Sequence, residues 1–435
     1  MQNLLSLNTD KQQKIPYSHC LNLEEDYNLT LLNGLLRWLN RIVMSVDLTQ
    51  VSFFIRMRKA MRYIKLYGFS RTLVKIKGQY HMRAAAEFDG AKWVNPDCNK
   101  PDRVERHVAL IGCGLFAFSN IAYYLGKSNP NFLRCAFDLH KNRALSLCKS
   151  YGGAYVIEDW REILSDQNVK VVFIASNHAS HADYAIACIK AGKHVHIEKP
   201  HVVSQEQLDR LVSTMRLYPK VKVFLGYNRP RSPLFAQLQK FLSRESGPLM
   251  INWFIAGHAI PDGHWYFDEK EGGRILGNLS HWSDLTLHLV SLEKAFPCKI
   301  VPASPPDAKS EFVLTVVFAD RSCAAITFSA KGDTFEGVRE ILNIHKGNVL
   351  ATLTDFHKLT VDVIEQKNVI HLRHRDHGHE ANIVHSLACV TEDGVLGEDI
   401  SYIAATAKFA LAIRQSIHSG ETVCLSLEHI MSSSE

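Results

Sequence analysis

Five short apolar runs separated by helical segments between residues 106 and 228, a glycine turn directly after the first run, and a change to longer alternating strands beyond Pro230 predict an α/β chain with two lobes. The first lobe is expected to be a doubly wound parallel sheet. The second is expected to be an α+β lobe on a mainly antiparallel, open sheet, and a helical extension precedes both. These expectations place the extension and its linker at residues 1–103, the first lobe at 104–228 and the second at 229–435.

The extension is marked by its charge. Residues 56–83 carry nine Lys or Arg and no Asp or Glu, more than the whole net charge of +6, so the remainder lies near −3 (6 − 9). Tyr63, Ile64, Tyr67 and Phe69 are interleaved with these cations. Three readings fit: a solvated helical arm, a contact with an anionic membrane or a polysaccharide-synthesis complex, or a nucleic-acid contact. No nucleic-acid motif accompanies the stretch, so no such partner is expected. Residues 29–46 are fairly apolar but interrupted by Asn33, Arg37, Asn40 and Arg41, and read as an amphipathic helix rather than a membrane span. The polar, turn-rich residues 95–102 close the extension.

The first lobe opens with the apolar run 108–111, which passes into Gly112-Cys113-Gly114-Leu115-Phe116-Ala117. In this Gly-x-Gly-x-x-Ala turn Gly112 makes the sharp bend and Gly114 leaves the backbone bare for a phosphate. Ala117 lets the next helix pack closely on the strand, with its N-terminal N–H groups toward a pyrophosphate. The second run, 133–137, ends in Asp138, 24 residues past Gly114, where a carboxylate accepts the ribose hydroxyls in a Rossmann dinucleotide site. A carboxylate there favours NAD, while His140, Lys141 and Arg143 close by leave NADP open. Runs 169–175, 194–197 and 221–226 supply the remaining strands. Ligands of doubly wound sheets bind at the carboxyl edge, which makes Asn177, His178 and Lys199 candidates for cofactor contact, and Tyr227, Asn228 and Arg229 are candidates for substrate contact. Arg229 is suited to pairing with a diphosphate.

Beyond Pro230 the alternating runs 250–256, 312–318, 323–328, 340–344, 349–353 and 359–364 predict the antiparallel sheet, and helices are expected near 379–391 and 400–418. An apolar sheet face left open needs covering, so a homo-oligomer through this sheet is expected.

Composition is that of an ordinary globular chain, 46% apolar and 22% charged. Ten cysteines are scattered without Cys-x-x-Cys pairs, and the N-terminus lacks the pattern of a signal peptide. Reduced thiols in a cytoplasmic protein, with peripheral membrane contact through residues 56–83 as a variant, are therefore expected. His194 and His196 lie on a buried strand with no third ligand in view, and no metal is expected.

Several motifs taken in order resemble the glucose-fructose oxidoreductase/inositol dehydrogenase (Gfo/Idh/MocA-like) family over roughly residues 105–425. They are the glycine turn, Ser176-Asn177-His178-Ala179-Ser180-His181, the run from Ala191 to Glu198-Lys199-Pro200, Gly226-Tyr227-Asn228-Arg229, and Gly272-Gly273-Arg274 leading to His281-Trp282-Ser283-Asp284. The context of Gly272 and the run Asp376-His377-Gly378-His379 look closest to members of bacterial surface-polysaccharide clusters. The resemblance implies a nicotinamide cofactor between the lobes and hydride exchange with a secondary hydroxyl of a sugar or nucleotide sugar. It also implies that Lys199 and His281 share the proton transfer, with Ser176, His181 and Glu198 joining the cofactor set and Asn278 and Asp284 the substrate set. Such oxidation needs a base within hydrogen-bond reach and a group that steadies the developing oxyanion. His281 suits the first task and Lys199 the second, and the reverse assignment also fits. One position departs from the family pattern: many members carry an Asp four residues before the His, where this chain has Gly277. That departure and the long extension keep open a catalytically weak dinucleotide-binding scaffold docked by its basic extension, and the resemblance also leaves open a redox-neutral NAD-dependent glycosidase, because some relatives cleave glycosidic bonds through transient oxidation.

Overall fold

The computed structural model describes residues 53–83, 93–94, 106–331 and 337–426. The readings made for residues 29–46 and 95–102 lie outside the described residues. Strands β1 (Val108–Ile111), β2 (Leu133–Phe137), β3 (Tyr155–Val156), β4 (Val171–Ile174), β5 (His194–Ile197) and β6 (Val223–Leu225) form an all-parallel sheet in the order β3-β2-β1-β4-β5-β6. The central strands β1 and β4 are buried at every residue, which is why they read as unbroken apolar runs. Register then decides where ligands can bind. Phe137, Ile111, Ile174, Ile197 and Leu225 stand side by side across the sheet. The residues that follow them, Asp138, Gly112, Ala175, Glu198 and Gly226, therefore emerge along one edge.

The second sheet has nine strands among the described residues: β7 (Met250–Ala256), β8 (Cys298–Pro302), β9 (Glu311–Val317), β10 (Cys323–Ser329), β11 (Arg339–Lys346), β12 (Val349–Thr354), β13 (Lys358–Val363), β14 (Gln366–His371) and β15 (Val423–Leu425). Their order is β14-β13-β12-β11-β7-β10-β9-β8-β15, antiparallel except where β7 and β10 run parallel. Along β7 the residues Ile251, Trp253 and Ile255 point inward while Met250, Asn252 and Phe254 point out, the period of two that marked these strands in the sequence. Helices Pro233–Leu242, Ser280–Val290 and Ile400–Ser419 pack on this sheet. The other face leaves Met250, Phe254, Val313, Val317 and Leu350 exposed.

The basic extension is not a free solvated arm. Helices Phe53–Tyr67 and Phe69–Met82 meet at Gly68 and lie against the body of the protein, burying Thr72 and His81. No helix among the described residues is long and apolar enough to cross a membrane.

Candidate active site

The glycine turn has the form that a dinucleotide requires. Gly112 has φ +88°, and a Cβ on it would lie 2.5 Å from the Ala175 carbonyl carbon, so only glycine lets β1 leave the sheet this close to the end of β4. Gly114 is the opposite case: a Cβ there would meet nothing within 4 Å, which leaves open space over the backbone. Ala117 is buried and begins a π turn, Ala117–Ile121, that continues as helix Ala122–Ser128. Asp138 is half-buried beside this turn and accepts hydrogen bonds from the backbone N–H groups of Cys113 and His140, each at 2.7 Å. These residues fit a dinucleotide, with Leu115 and Phe116 at the start of the helix and Phe116 partly exposed. Lys141 pairs with Glu158 at 3.0 Å, so its charge is already engaged.

Lys199 lies two residues past the end of β5, is followed by a cis Lys199–Pro200 peptide, and donates from Nζ to the Gly277 carbonyl at 2.7 Å. Gly277 sits in a second π turn, Ile275–Leu279, that leads directly into the helix carrying His281. Two lobes thus bring Lys199 and His281 to one turn of chain. His281 Nδ1 is buried and has no hydrogen-bond partner. Burial, followed by the positive charges of Arg229 and Lys199, holds the imidazole well below its usual range, so it is neutral at pH 7.

The position where many family members carry Asp is closed here. A Cβ on Gly277 would lie 2.3 Å from Tyr266 Cε1 and 2.8 Å from His178 Cε1. Tyr266 also donates to the Gly277 carbonyl at 3.1 Å. His178 is packed edge-on against Trp265 and Tyr266, and its Nδ1 donates to the Glu271 carbonyl at 2.9 Å. The Glu271 carboxylate receives the Asn177 side chain at 2.6 Å and the Ala179 N–H at 3.0 Å. The loop after β4, where a nicotinamide would pass, is thereby tied to the second lobe, with exposed Asn177 and half-buried Ser176 at its surface.

Several sequence candidates lie elsewhere. His181 is buried with its ring nitrogens 2.8 Å from the Pro200 carbonyl and 3.1 Å from the Ser176 carbonyl, so it joins two loops and does not face a ligand. The Glu198 carboxylate turns back toward His196 and the Lys199 N–H. Tyr227 is buried with its ring edge-on to that of His281 at 6.1 Å, and burial, then Asp284, raises its hydroxyl pKa. Asp284 is wholly buried and accepts from Tyr402 at 2.7 Å and Thr406 at 2.9 Å, because its side of the helix faces Ile400–Ser419. Asn228 is buried and donates to the His377 carbonyl at 2.6 Å. Asn278 is half-buried and accepts from Arg274 at 3.3 Å. Arg229 borders the cleft, but its guanidinium is held in two bonds by Glu340 at 2.9 and 3.1 Å, so it is not a free partner for a diphosphate.

Glu340 itself is a residue the sequence reading missed. It also accepts from Trp282 Nε1 at 2.7 Å and pairs with His377 Nε2 at 3.1 Å. Despite burial, Arg229 and then His377 hold its carboxyl far below the usual range. On β11 it occupied one polar position in an alternating strand, and nothing local marked it. His377 and His379 were visible as a His-x-His pair, and they border the same cleft as His281.

Together the parallel lobe with its bare glycine turn, and the helix that brings His281 to the Lys199 turn, define a two-lobed dinucleotide-binding architecture. Residues 106–227 match the profile of an oxidoreductase family with an NAD-binding Rossmann fold. Over this segment the chain is similar to the Gfo/Idh/MocA group. It is similar to inositol 2-dehydrogenase of Salmonella paratyphi B, 32% identical over 146 residues that make up 33% of this chain and 44% of the relative. It is also similar to an NADP(+)-dependent scyllo-inositol 2-dehydrogenase of Bacillus subtilis, 27% identical over 37% of this chain and 46% of the relative. The aligned segments thus span less than half the length of these curated relatives. Among solved structures, UDP-N-acetylglucosamine 3-dehydrogenase GnnA from Acidithiobacillus ferrooxidans shares the fold with a TM-score of 0.61 and 18% identity, covering 73% of this chain and 99% of that one.

Proposed function

We propose that the protein is an NAD-dependent oxidoreductase acting on a secondary hydroxyl of a sugar or nucleotide sugar, with NADP as the less favoured cofactor. The observation that carries this reading is the meeting of Lys199 and His281, from two lobes, at the Gly277 turn beside the dinucleotide edge. Gly112, Gly114, Leu115, Phe116, Ala117 and Asp138 would hold the cofactor, with Ser176 and Asn177 at its nicotinamide end. When bound, the nicotinamide supplies the hydride acceptor. His281, kept neutral, takes the hydroxyl proton. The Lys199 ammonium uses one N–H on Gly277 and has two left to steady the alkoxide. Asp138 just past the end of β2, where it would meet the ribose, supports NAD, and the engagement of Lys141 by Glu158 removes one cation that would have welcomed a 2′-phosphate.

The resemblance of motifs supports surface-polysaccharide assembly as the setting. The open sheet face with Phe254 and Leu350 supports a homo-oligomer, which sedimentation at micromolar concentration would test: a monomer would remove that part. Phe54, Met61 and Phe69 stay exposed on the basic helix pair and support peripheral contact with an anionic membrane, to be tested by vesicle co-sedimentation. No binding at low salt would remove it.

The decisive experiment follows absorbance at 340 nm with NAD or NADP and a panel of free, UDP- and GDP-linked sugars, using Lys199→Ala as control. Turnover that the variant loses, with NADH binding retained, is the expected result. Cofactor binding without net turnover on any sugar would overturn it in favour of a redox-neutral enzyme or a scaffold.

A further inference from the structure

The helix pair Phe53–Tyr67 and Phe69–Met82 lies outside the segment that matches the family, yet it is fastened to both lobes. The Arg375 N–H of the second lobe donates to the Leu66 carbonyl at 2.8 Å, and the Tyr67 ring lies 6.4 Å from that of His377. On the first lobe, His81 Nε2 sits 2.7 Å from the Cys113 carbonyl, inside the glycine turn, and its Nδ1 lies 3.0 Å from Ser146 Oγ. Between these anchor points the pair roofs a cavity of about 910 Å³, bordered by Arg71 and Lys75 from the pair, Phe116 and Tyr124 from the first lobe, and His281 and His379 from the second. That volume is within the range of small-molecule sites.

The charge of this cavity is out of balance. Three of its cations are matched: Arg229 by Glu340, Arg375 by Asp355 and Lys127 by Glu380. Arg71 and Lys75 have no carboxylate partner among the described residues. Arg71 donates to neutral oxygens, the Ser119 carbonyl and Asn120 Oδ1, and its guanidinium stands over the rings of Tyr123 and Tyr124 at 5.0 and 4.8 Å, which fixes its position. The Lys75 side chain makes no hydrogen bond among the described residues. Burial, with Arg71 adding to it, presses the Lys75 ammonium down to about 8. Two cations held close together without a counter-ion cost stability, and an incoming anion reverses that cost. The same positive field adds to the burial that keeps His379 neutral, so an anion rather than a second cation is what the cleft is built to receive.

We propose that the helix pair is a working wall of the substrate cleft, and that Lys75, with Arg71 beside it, binds an oxyanion carried by the substrate, a phosphate or a carboxylate. This rests on reading the cavity beside His281 as the substrate cleft. A neutral polyol would leave both cations unmatched.

Calorimetry on the full chain tests this without requiring turnover. The probes are UDP for the phosphate source, glucuronate for the carboxylate source, and glucose as the neutral control. At least one anion binds while glucose does not at equal concentration, and which anion binds identifies the source. Lys75→Gln weakens that anion about tenfold or more, the worth of a charge-assisted hydrogen bond. Lys75→Arg retains it, NADH binding holds in both variants, and the melting temperature of Lys75→Gln does not fall. Glucose binding as well as the anions, neither anion binding, or an anion affinity unchanged in Lys75→Gln would each overturn the proposal. Anion binding through Lys75 in a protein that never reduces NAD would defeat only the dehydrogenase reading. Turnover of neutral sugars unaffected by Lys75→Gln would defeat only this inference.

Discussion

At the residue scale Gly277 separates what a motif implies from what a structure permits. An Asp at this position would match the family pattern, but its Cβ would intrude on Tyr266 and His178. Gly277→Asp is therefore expected to destabilise by about 2 kcal/mol or more, as overpacking and a buried charge do, and to lower turnover. Thermal melting beside the 340 nm assay reads both, and a stable variant with raised activity would refute the packing argument. The same residues show the limits of reading side chains from a sequence. Gly112, Gly114 and Asp138 were legible because the strand-turn-helix geometry itself demands those residue types. Asp284 and Asn228 are committed to other parts of the fold, because nearness along the chain says nothing about direction. Asp284 is three residues from His281, yet its carboxylate is committed to Tyr402 and Thr406 on another helix.

At the scale of elements, strands buried on both faces or strictly alternating were legible, and the marginal ones were not. β3 has two residues, β15 has three, and the edge strand β14 alternates only between exposed and half-buried, so none carries a periodic apolar signal. The helix pair was visible as a run of charge, but its docking was not, because its partners come from both lobes. β11 is where an element matters most to the site, since Glu340 joins it to Arg229, Trp282 and His377. Glu340→Gln leaves a buried guanidinium without its counter-ion, and a loss of about 3–5 kcal/mol is expected. Urea unfolding measures it. A loss under about 1 kcal/mol would mean that Arg229 is compensated in some other way.

For the whole molecule the histidines set the response to acid. Burial lowers His178, His181, His281 and His379 below their usual range and His201 to about 4. A lowered folded-state value means that the unfolded chain binds protons first, so this stability is complete above pH ~6.5 and drains as the pH falls below it. At pH 5.5, His201 alone accounts for about 1.4 kcal/mol. Asp284, raised by burial, runs the other way and softens the fall, while Glu340 acts only at lower pH. Unfolding midpoints measured at pH 7.5 and 5.5 should drop by an amount that counterion screening does not abolish. Equal midpoints would show that the buried rings gain protons without penalty.

The two anchors of the helix pair also order events in time. Its docking surfaces are the glycine-turn helix and the segment around Arg375, which leave the ribosome early and late, whereas the pair itself leaves before either. A segment made first must therefore wait for nearly the whole chain before it can close. The cleft wall cannot close before residue 375 has emerged, and a chain interrupted short of that point would carry its basic helices undocked from the second lobe.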